Sequence, residues 1–425
     1  MRVLIVNTSE KTGGAAVAAS RLTEALINND VKATMMVMKK QSHSIHVVEH
    51  GGGLAGKWHF LWERFVIWTA TFFNYKDLFK VSIANTGTDI TRTNEFQKAD
   101  IIHLHWVQQG FLSLRSIEKI LRSGKPVVWT MHDMWPLTAI CHHAGTCRLY
   151  QSSCHPCPYT MHNAQCTMHK STALADRVFR RKRQLLAGSP IHFVAVSSWL
   201  ADKAQQSAVI EGCKISVIPN VISLSRFSLI DRLDARSVLH LTERYVIVFG
   251  AARIDDDIKG FGYLTDALRL LLDSGRIKES ELRLLLFGSI KHREVLNTIP
   301  VPYTYLGYVN DDRQLSEIYS ASDAVVSSSL YETFGQTLIE AQACGCLPVA
   351  FEGSGQTDII SHGKNGYLAE RLSVKSLADG IVWALHAGID PLTLRRSVLR
   401  RYSESIVAQK YIRLYASFGQ KNNEE

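Results

Sequence analysis

Short runs of four to six mostly apolar residues recur along the chain, and most are followed by a stretch with helical apolar spacing. Val3-Leu4-Ile5-Val6-Asn7 is the first such run, and Gly13-Gly14 then opens a helical pattern that reaches about Asn28. Thr34 to Met38, Ile101 to His105, Val127 to Thr130, Phe193 to Val196 and Ile215 to Ile218 are further strand candidates. Ser113 to Arg122 and Lys170 to Ala187 read as helices between them. The theme restarts at Tyr245–Gly250 and continues through a helix at Tyr263–Leu272, a strand at Leu282–Phe287 and a helix around Leu315–Tyr319. A strand at Ala324–Ser328, a helix following Gly335 and a strand at Leu347–Phe351 complete it. Runs that are apolar throughout, rather than alternating, belong to parallel strands covered on both faces. Alternation of such strands with helices predicts an α/β protein with doubly wound sheets.

A chain of 425 residues exceeds one ordinary core, so two domains are expected. Pro219 ends one strand run and a polar segment follows. The expected division is therefore a first domain over 1–221, a second over 222–390, and a basic helical segment over 391–425 that crosses back to the first. Two doubly wound domains present their ligands at the carboxyl ends of their strands, which predicts a site at the cleft between them. The formal charge of +9 suits nucleic acid, an anionic surface or a phosphorylated ligand. Basic residues are dispersed and no nucleic-acid-binding motif is present, which argues against the first of these. Val3–Val6 is too short for a signal-peptide core, and no apolar run spans a bilayer, so a cytoplasmic protein is expected.

The segment Ser329-Leu330-Tyr331-Glu332-Thr333-Phe334-Gly335-Gln336-Thr337-Leu338-Ile339-Glu340-Ala341 carries the clearest chemistry. It reads as a strand-to-helix turn with the helix starting near Phe334. A helix start offers unpaired N–H groups and a positive dipole end to a phosphate. Glu332 lies just before the helix and Glu340 within its first turns, so carboxylates flank the presumed phosphate site. A diphosphate between two polyols is a nucleotide sugar. Gly13-Gly14, Gly250 and Gly288 mark other strand ends, and Arg253 and Lys259-Gly260 follow Gly250. A cation there would neutralise a departing diphosphate, the electrostatic stabilisation that glycosyl transfer requires.

With these residues assembled, the chain resembles the retaining nucleotide-sugar glycosyltransferases of the GT-B fold, specifically family 4. The resemblance rests on Gly13-Gly14, Val196-Ser197, Ile218-Pro219-Asn220, Lys259-Gly260 and the Glu-x7-Glu element of Glu332 and Glu340. Gly345-Cys346-Leu347-Pro348-Val349 and Gly363-Lys364-Asn365-Gly366-Tyr367-Leu368 add to it. It implies two Rossmann-like domains facing across a cleft, with a nucleotide-sugar donor and a saccharide or lipid-linked acceptor in surface polysaccharide synthesis. It implies that Glu332 binds the donor sugar, Glu340 the ribose, and the backbone at Thr333, Phe334, Gly335 and Gln336 the diphosphate. Gly13 and Gly14 join the donor site, Lys259 neutralises the phosphate, and His132 of Thr130-Met131-His132-Asp133 faces the sugar. No catalytic metal is implied. Two departures stand out: Arg253 and Lys259 are separated by five residues where the family often has four, and Gly-Gly-x-Glu is replaced by Gly13-Gly14-Ala15-Ala16. Competing readings are a nucleotide-sugar epimerase and a catalytically silent saccharide-binding protein.

Two further segments stand out. Cys141, Cys147, Cys154, Cys157 and Cys166 fall within 141–166 among His142, His143, His155, His162 and His169. In a cytosolic chain such density favours a metal, so Cys141, Cys147, Cys154 and Cys157 are candidate ligands of a structural zinc; reduced thiols or disulfides are the alternative. Similar cysteine-bearing segments occur in glycosyltransferases resembling those of colanic acid pathways. Trp58, Phe60, Leu61, Trp62, Phe65, Val66, Trp68, Phe72 and Phe73 cluster at helix length, and core packing is the first reading. The alternative is an interfacial helix contacting a membrane, supported by the basic stretch Arg177, Arg180, Arg181, Lys182 and Arg183.

Overall fold

The computed structural model describes residues 1–71, 73–160 and 172–419, which form two compact units. The first comprises residues 1–219 and the chain from Val407 onward; the second comprises Asn220–Ile406. Phe72, Cys166, His162 and His169 lie outside the described residues.

The first unit holds seven strands: β1 (Arg2–Val6), β2 (Lys32–Val37), β3 (Val47–Glu49), β4 (Ile101–Leu104), β5 (Val127–Met131), β6 (His192–Ala195) and β7 (Lys214–Val217). They pair in the order β3-β2-β1-β4-β5-β6-β7, every neighbour parallel. The second unit holds β8 (Tyr245–Arg253), β9 (Leu282–Ser289), β10 (Tyr303–Tyr305), β11 (Ala324–Ser327), β12 (Leu347–Phe351) and β13 (Tyr367–Ala369). Their order is β10-β9-β8-β11-β12-β13, again all parallel. Both sheets are doubly wound, and in each the strand order reverses beside the first strand: between β1 and β4, and between β8 and β11. Ligands of open α/β sheets sit at such reversals, beyond the carboxyl ends of the strands.

The uninterrupted apolar runs are buried as their composition requires. Leu4, Ile5 and Val6 in the first sheet and Ile247, Leu284, Leu286 and Val349 in the second are fully enclosed. Strands β3, β10 and β13 were not predicted, because three residues at a sheet edge carry no periodicity to read. The C-terminal helical pattern, read as continuous over Leu392 to Phe418, is two helices, Pro391–Tyr402 and Glu404–Gly419. Ser403 between them is extended (ψ 156°) and bridges Ile222. The first of these helices stays with the second unit, whereas Tyr411 and Tyr415 of the other bond Thr130 and His103 of the first.

The first reading of the aromatic segment is corrected. In the helix Gly53–Ala70 the side chains of Trp58, Leu61, Trp62 and Phe65 are exposed, and Glu63, Arg64 and Ile67 are buried. Within the basic stretch, Lys182 is corrected because it is buried, whereas the arginines are exposed. Arg180, Arg181 and Arg183 pair with Asp176, Glu118 and Glu211, and Lys182 is wholly buried. The sequence shows cations but not the acids that the fold brings to them.

Candidate active site

In the second unit, β11 ends at Ser327 and the chain passes through Ser328–Gly335 into the helix Gln336–Ala343. The helix begins two residues later than expected, because Gly335 adopts a left-handed conformation (φ 106°) that breaks the helical path. The first turn carries neither a side-chain cap nor an acidic residue. That leaves the positive dipole end without a competing carboxylate. At the other end, Arg395 donates to the Ala343 carbonyl at 2.8 Å, complementing the negative end of the helix.

Two neighbouring loops fix this turn. Leu330 N donates to Ile258 O at 2.8 Å, and Ser328 Oγ donates to Gly260 O at 2.8 Å, so the Lys259 loop is stitched to the end of β11. Gly260 lies in the left-handed region (φ 63°), and a Cβ there would overlap the Ser328 carbonyl. On the other flank, Gly355 N donates to Glu332 O at 2.7 Å, and a Cβ on Gly355 would overlap the Thr333 carbonyl. Buried Gln356 accepts from Ser327 Oγ at 2.9 Å and donates to Phe351 O at 3.0 Å. Gly353-Ser354-Gly355 thus supplies backbone support to Glu332 and Thr333.

The outcome is that Lys259 Nζ lies 2.8 Å from Glu332 Oε2. Burial opposes the ammonium charge, but the Glu332 carboxylate more than offsets this, so the lysine pKa stands above its ordinary value. Glu340 is buried on the helix, with Tyr319 Oη 3.5 Å from its Oε2. Arg253 sits apart from this pair: its guanidinium faces Asp256 at 3.2 Å and Asp255 at 3.7 Å. Gly250 and Gly288 serve packing, since a Cβ would strike the Phe287 ring in one case and the Ala251 carbonyl in the other. Ser328 and Gln356 were not singled out, because their roles depend on loops brought together from three strand ends.

In the first unit, Gly13 (φ 89°) precedes the helix Gly14–Ile27, whose first turn likewise carries no acidic residue and no side-chain cap. A Cβ on Gly13 would meet nothing within 4 Å, so its positive φ, not crowding, selects glycine. His132 follows β5, and its Nε2 lies 2.8 Å from His105 Nδ1. Next to them His103 bonds Thr130 Oγ1 at 2.8 Å and Tyr415 Oη at 2.7 Å. Burial lowers all three imidazoles, His103 to about 3 and His132 to about 4, so they are neutral at physiological pH. Neutral His132 can offer a hydrogen bond to a sugar hydroxyl without adding charge.

These shifts fix a pH dependence. Below pH 6.5 the unfolded chain protonates His103 and His132 while the folded chain does not, so stability falls as pH falls. From pH 6.5 to 4.5 the two contribute a loss of about 4 kcal/mol, or roughly 10 °C in Tm. Thermal unfolding across that window checks this. His103→Asn and His132→Asn should each flatten the slope, and an unchanged slope in both variants counts against the buried neutral pair.

The matches to known proteins agree with this geometry. The family model described as Glycosyltransferase Family 4 matches residues 12–226, and that of Glycosyl transferases group 1 matches residues 231–401. The chain belongs to glycosyltransferase family 4. The glycosyltransferase is 27% identical over 259 residues to phosphatidyl-myo-inositol mannosyltransferase of Mycobacterium tuberculosis, covering 59% of this chain and 66% of that relative. It is 21% identical to the putative colanic acid biosynthesis glycosyl transferase WcaC of Escherichia coli, over 74% of this chain and 76% of that one. Among solved structures, sucrose-phosphate synthase from Thermosynechococcus elongatus matches with TM-score 0.65 at 17% identity, covering 99% of this chain and 100% of that one. Anabaena HepE in complex with UDP and glucose matches with TM-score 0.62 at 17% identity, over 98% and 100%. These structural likenesses establish the GT-B fold.

The cysteine insert of the glycosyltransferase buries Cys154 and Cys157 and leaves Cys141 and Cys147 partly exposed. Among the described residues, no three His, Cys, Asp or Glu side chains stand where they would hold a metal ion. Cys141, Cys147, Cys154 and Cys157 are free thiols, and burial pushes Cys141 and Cys154 up to about 12. Cys154 Sγ accepts from Ala139 N at 3.3 Å. Lys182 ties the segment down, donating to the Trp135 and Thr138 carbonyls with its ammonium 3.8 Å from the centre of the Trp135 ring. Beside it, Asp133 accepts from Trp106 Nε1 and Trp135 N and pairs with His142, which bonds Ser82. Asp133 thereby anchors the turn immediately after His132.

Proposed function

We propose that this glycosyltransferase moves a sugar, with retention of configuration, from a nucleoside-diphosphate sugar to a saccharide or lipid-linked saccharide acceptor in surface polysaccharide synthesis. The observation that carries the donor assignment is the Lys259–Glu332 contact of 2.8 Å beside the uncapped helix Gln336–Ala343. A diphosphate is attracted to a lysine and a helix start, and a sugar joined to it lies within reach of the adjoining carboxylate.

In this reading the donor diphosphate takes the Lys259 ammonium and Glu332 turns to the sugar hydroxyls. Backbone at Thr333, Phe334, Gly335 and Gln336 lines the diphosphate, and Glu340 serves the ribose. Within the first unit, His132, Gly13 and Gly14 are the residues we assign to donor binding. The bond from the anomeric carbon to the phosphate oxygen breaks, and its electrons leave with the nucleoside diphosphate. The acceptor oxygen forms the new bond on the same face and passes its proton to the departing phosphate. Lys259 stabilises the charge that develops, which needs no catalytic metal. Glu332 and Glu340 differ in surroundings and partner, which favours a donor clamp over the acid–nucleophile pair of a glycoside hydrolase. Support for polysaccharide synthesis comes from WcaC, a putative colanic acid biosynthesis transferase, and support for a lipid-linked acceptor from the phosphatidyl-myo-inositol mannosyltransferase.

Thermal unfolding against a panel of nucleoside diphosphates and their sugars tests the donor assignment. A cognate ligand at 100 times its Kd should add about 2.7 kcal/mol of apparent stability. The gain should vanish in Lys259→Ala; no gain from any nucleotide counts against a donor site.

A further inference from the structure

The helix Gly53–Ala70 is turned inside out for a surface helix. Its adjacent charges Glu63 and Arg64 point inward: Glu63 Oε1 accepts from Ile83 N and Ala84 N, both at 2.8 Å, and Arg64 donates to the Leu78 and Val81 carbonyls. The Arg64 guanidinium also lies 3.0 Å from Glu63 Oε2. Its apolar residues point outward: Trp58 is 57% exposed, Leu61 64%, Trp62 43% and Phe65 51%. Rotating the helix to bury them would strip the Ile83 and Ala84 N–H groups and the Leu78 and Val81 carbonyls of their partners, at about 1–3 kcal/mol for each buried group left unsatisfied. Nor can it slide easily, because a Cβ on Gly110 would lie 2.7 Å from Phe60 N; the helix backbone rests directly on that glycine.

The exposed rings form one continuous ladder. Trp58 stacks on Trp62 with centroids 5.6 Å apart, Trp62 on Phe65 at 5.9 Å, and Trp68 meets Phe73 at 4.6 Å and Tyr75 at 5.6 Å. Phe79 folds back against Phe60 at 6.4 Å, so the loop after the helix widens the same surface. The charges exposed in this segment are cationic: Lys57, Lys76 and Lys80, the last shared with half-buried Asp77 at 3.1 Å. No helix of the described residues is long and apolar enough to cross a membrane.

We propose that this aromatic face is the docking surface for an anionic phospholipid bilayer, lying in the headgroup layer with Trp58, Trp62 and Phe65 inserted and Lys57, Lys76 and Lys80 against lipid phosphates. Aromatic rings with cations at their margin match the apolar-to-anionic gradient of a membrane interface. A second copy of the chain is the poorer occupant: an isologous contact through this face would bring each cluster of lysines toward its own copy. The proposal is separate from the transfer reading, because none of these residues belongs to the donor site.

Flotation of the full chain with vesicles tests it. At low salt the protein should float with vesicles containing phosphatidylglycerol and far less with pure phosphatidylcholine, and added salt should weaken the binding. Trp58→Ser/Trp62→Ser/Phe65→Ser should lower vesicle partitioning at least about tenfold. Tm and sugar transfer to a water-soluble acceptor should stay unchanged, which shows that the variant folds and keeps its site. Lys57→Glu/Lys76→Glu should remove the preference for anionic vesicles. The proposal is overturned if the wild type does not float with anionic vesicles, or if the triple variant floats as well as the wild type. It is also overturned if sedimentation shows a dimer that the triple variant dissociates. A wild type that transfers sugar but does not float with anionic vesicles would refute this surface alone; a wild type that floats but transfers no sugar would instead strike the proposed function.

Discussion

Lys259→Ala is expected to lower sugar transfer by about 10²–10³-fold, the cost of removing one preorganised group that stabilises developing charge. The effect should not come from unfolding. The Lys259 side chain is 27% exposed, and a partly exposed ion pair contributes at most about 1 kcal/mol of stability. Glu332→Ala should also reduce transfer severely, but for a different reason, and the two are separable. In the unliganded chain the carboxylate and the diphosphate compete for one ammonium. Removing the carboxylate should therefore preserve or tighten binding of a free nucleoside diphosphate while turnover falls, whereas Lys259→Ala should weaken both. Calorimetric binding of the diphosphate beside turnover measurements distinguishes them. Equal loss of diphosphate binding in both variants would mean that Glu332 does not compete with phosphate at Lys259.

The second large effect is structural. Gly260→Ala adds a Cβ where φ is 63° and the Ser328 carbonyl already occupies the space. Backbone must move, because neither group is the end of a flexible side chain. Substitution at a positive φ costs about 1 kcal/mol by itself, and displacing the hydrogen-bonded loop adds more, giving a loss of several kcal/mol in the second unit. Since Lys259 is carried by the same loop, turnover should fall with stability. Gly262→Ala is the control: a Cβ there meets nothing within 4 Å, and the position lies within the helix Phe261–Asp273, where alanine is the better helix former. Chemical denaturation of both variants checks the contrast. A Gly260→Ala protein as stable as the wild type would deny that the Lys259 loop is held against the end of β11.

The fold was legible because parallel strands announce themselves. Val3–Val6, Tyr245–Phe249 and Leu347–Phe351 are apolar without interruption and Ile101–Leu104 is broken only by His103; polar residues stop the first and third where the structure stops them, whereas β8 continues past Gly250 to Arg253. The Glu332–Glu340 element was legible because its spacing, its glycine and the strand before it occur in one contiguous stretch. What depended on distant partners was not. Lys182 reads as one more cation in a basic helix, yet the fold places it beneath Trp135. The aromatic helix misled most: a dense apolar segment ordinarily belongs to a core, and only the inward bonds of Glu63 and Arg64 reveal which face is outside.

Glycosyl transfer from a nucleotide sugar bound at Lys259 and Glu332 is tested most directly by nucleoside diphosphate release from a panel of nucleotide sugars, followed for the wild type and for Lys259→Ala. The account predicts release from at least one donor by the wild type, and release lowered by about 10²-fold or more in the variant. Release by neither protein from any donor, or equal release by both, would contradict it.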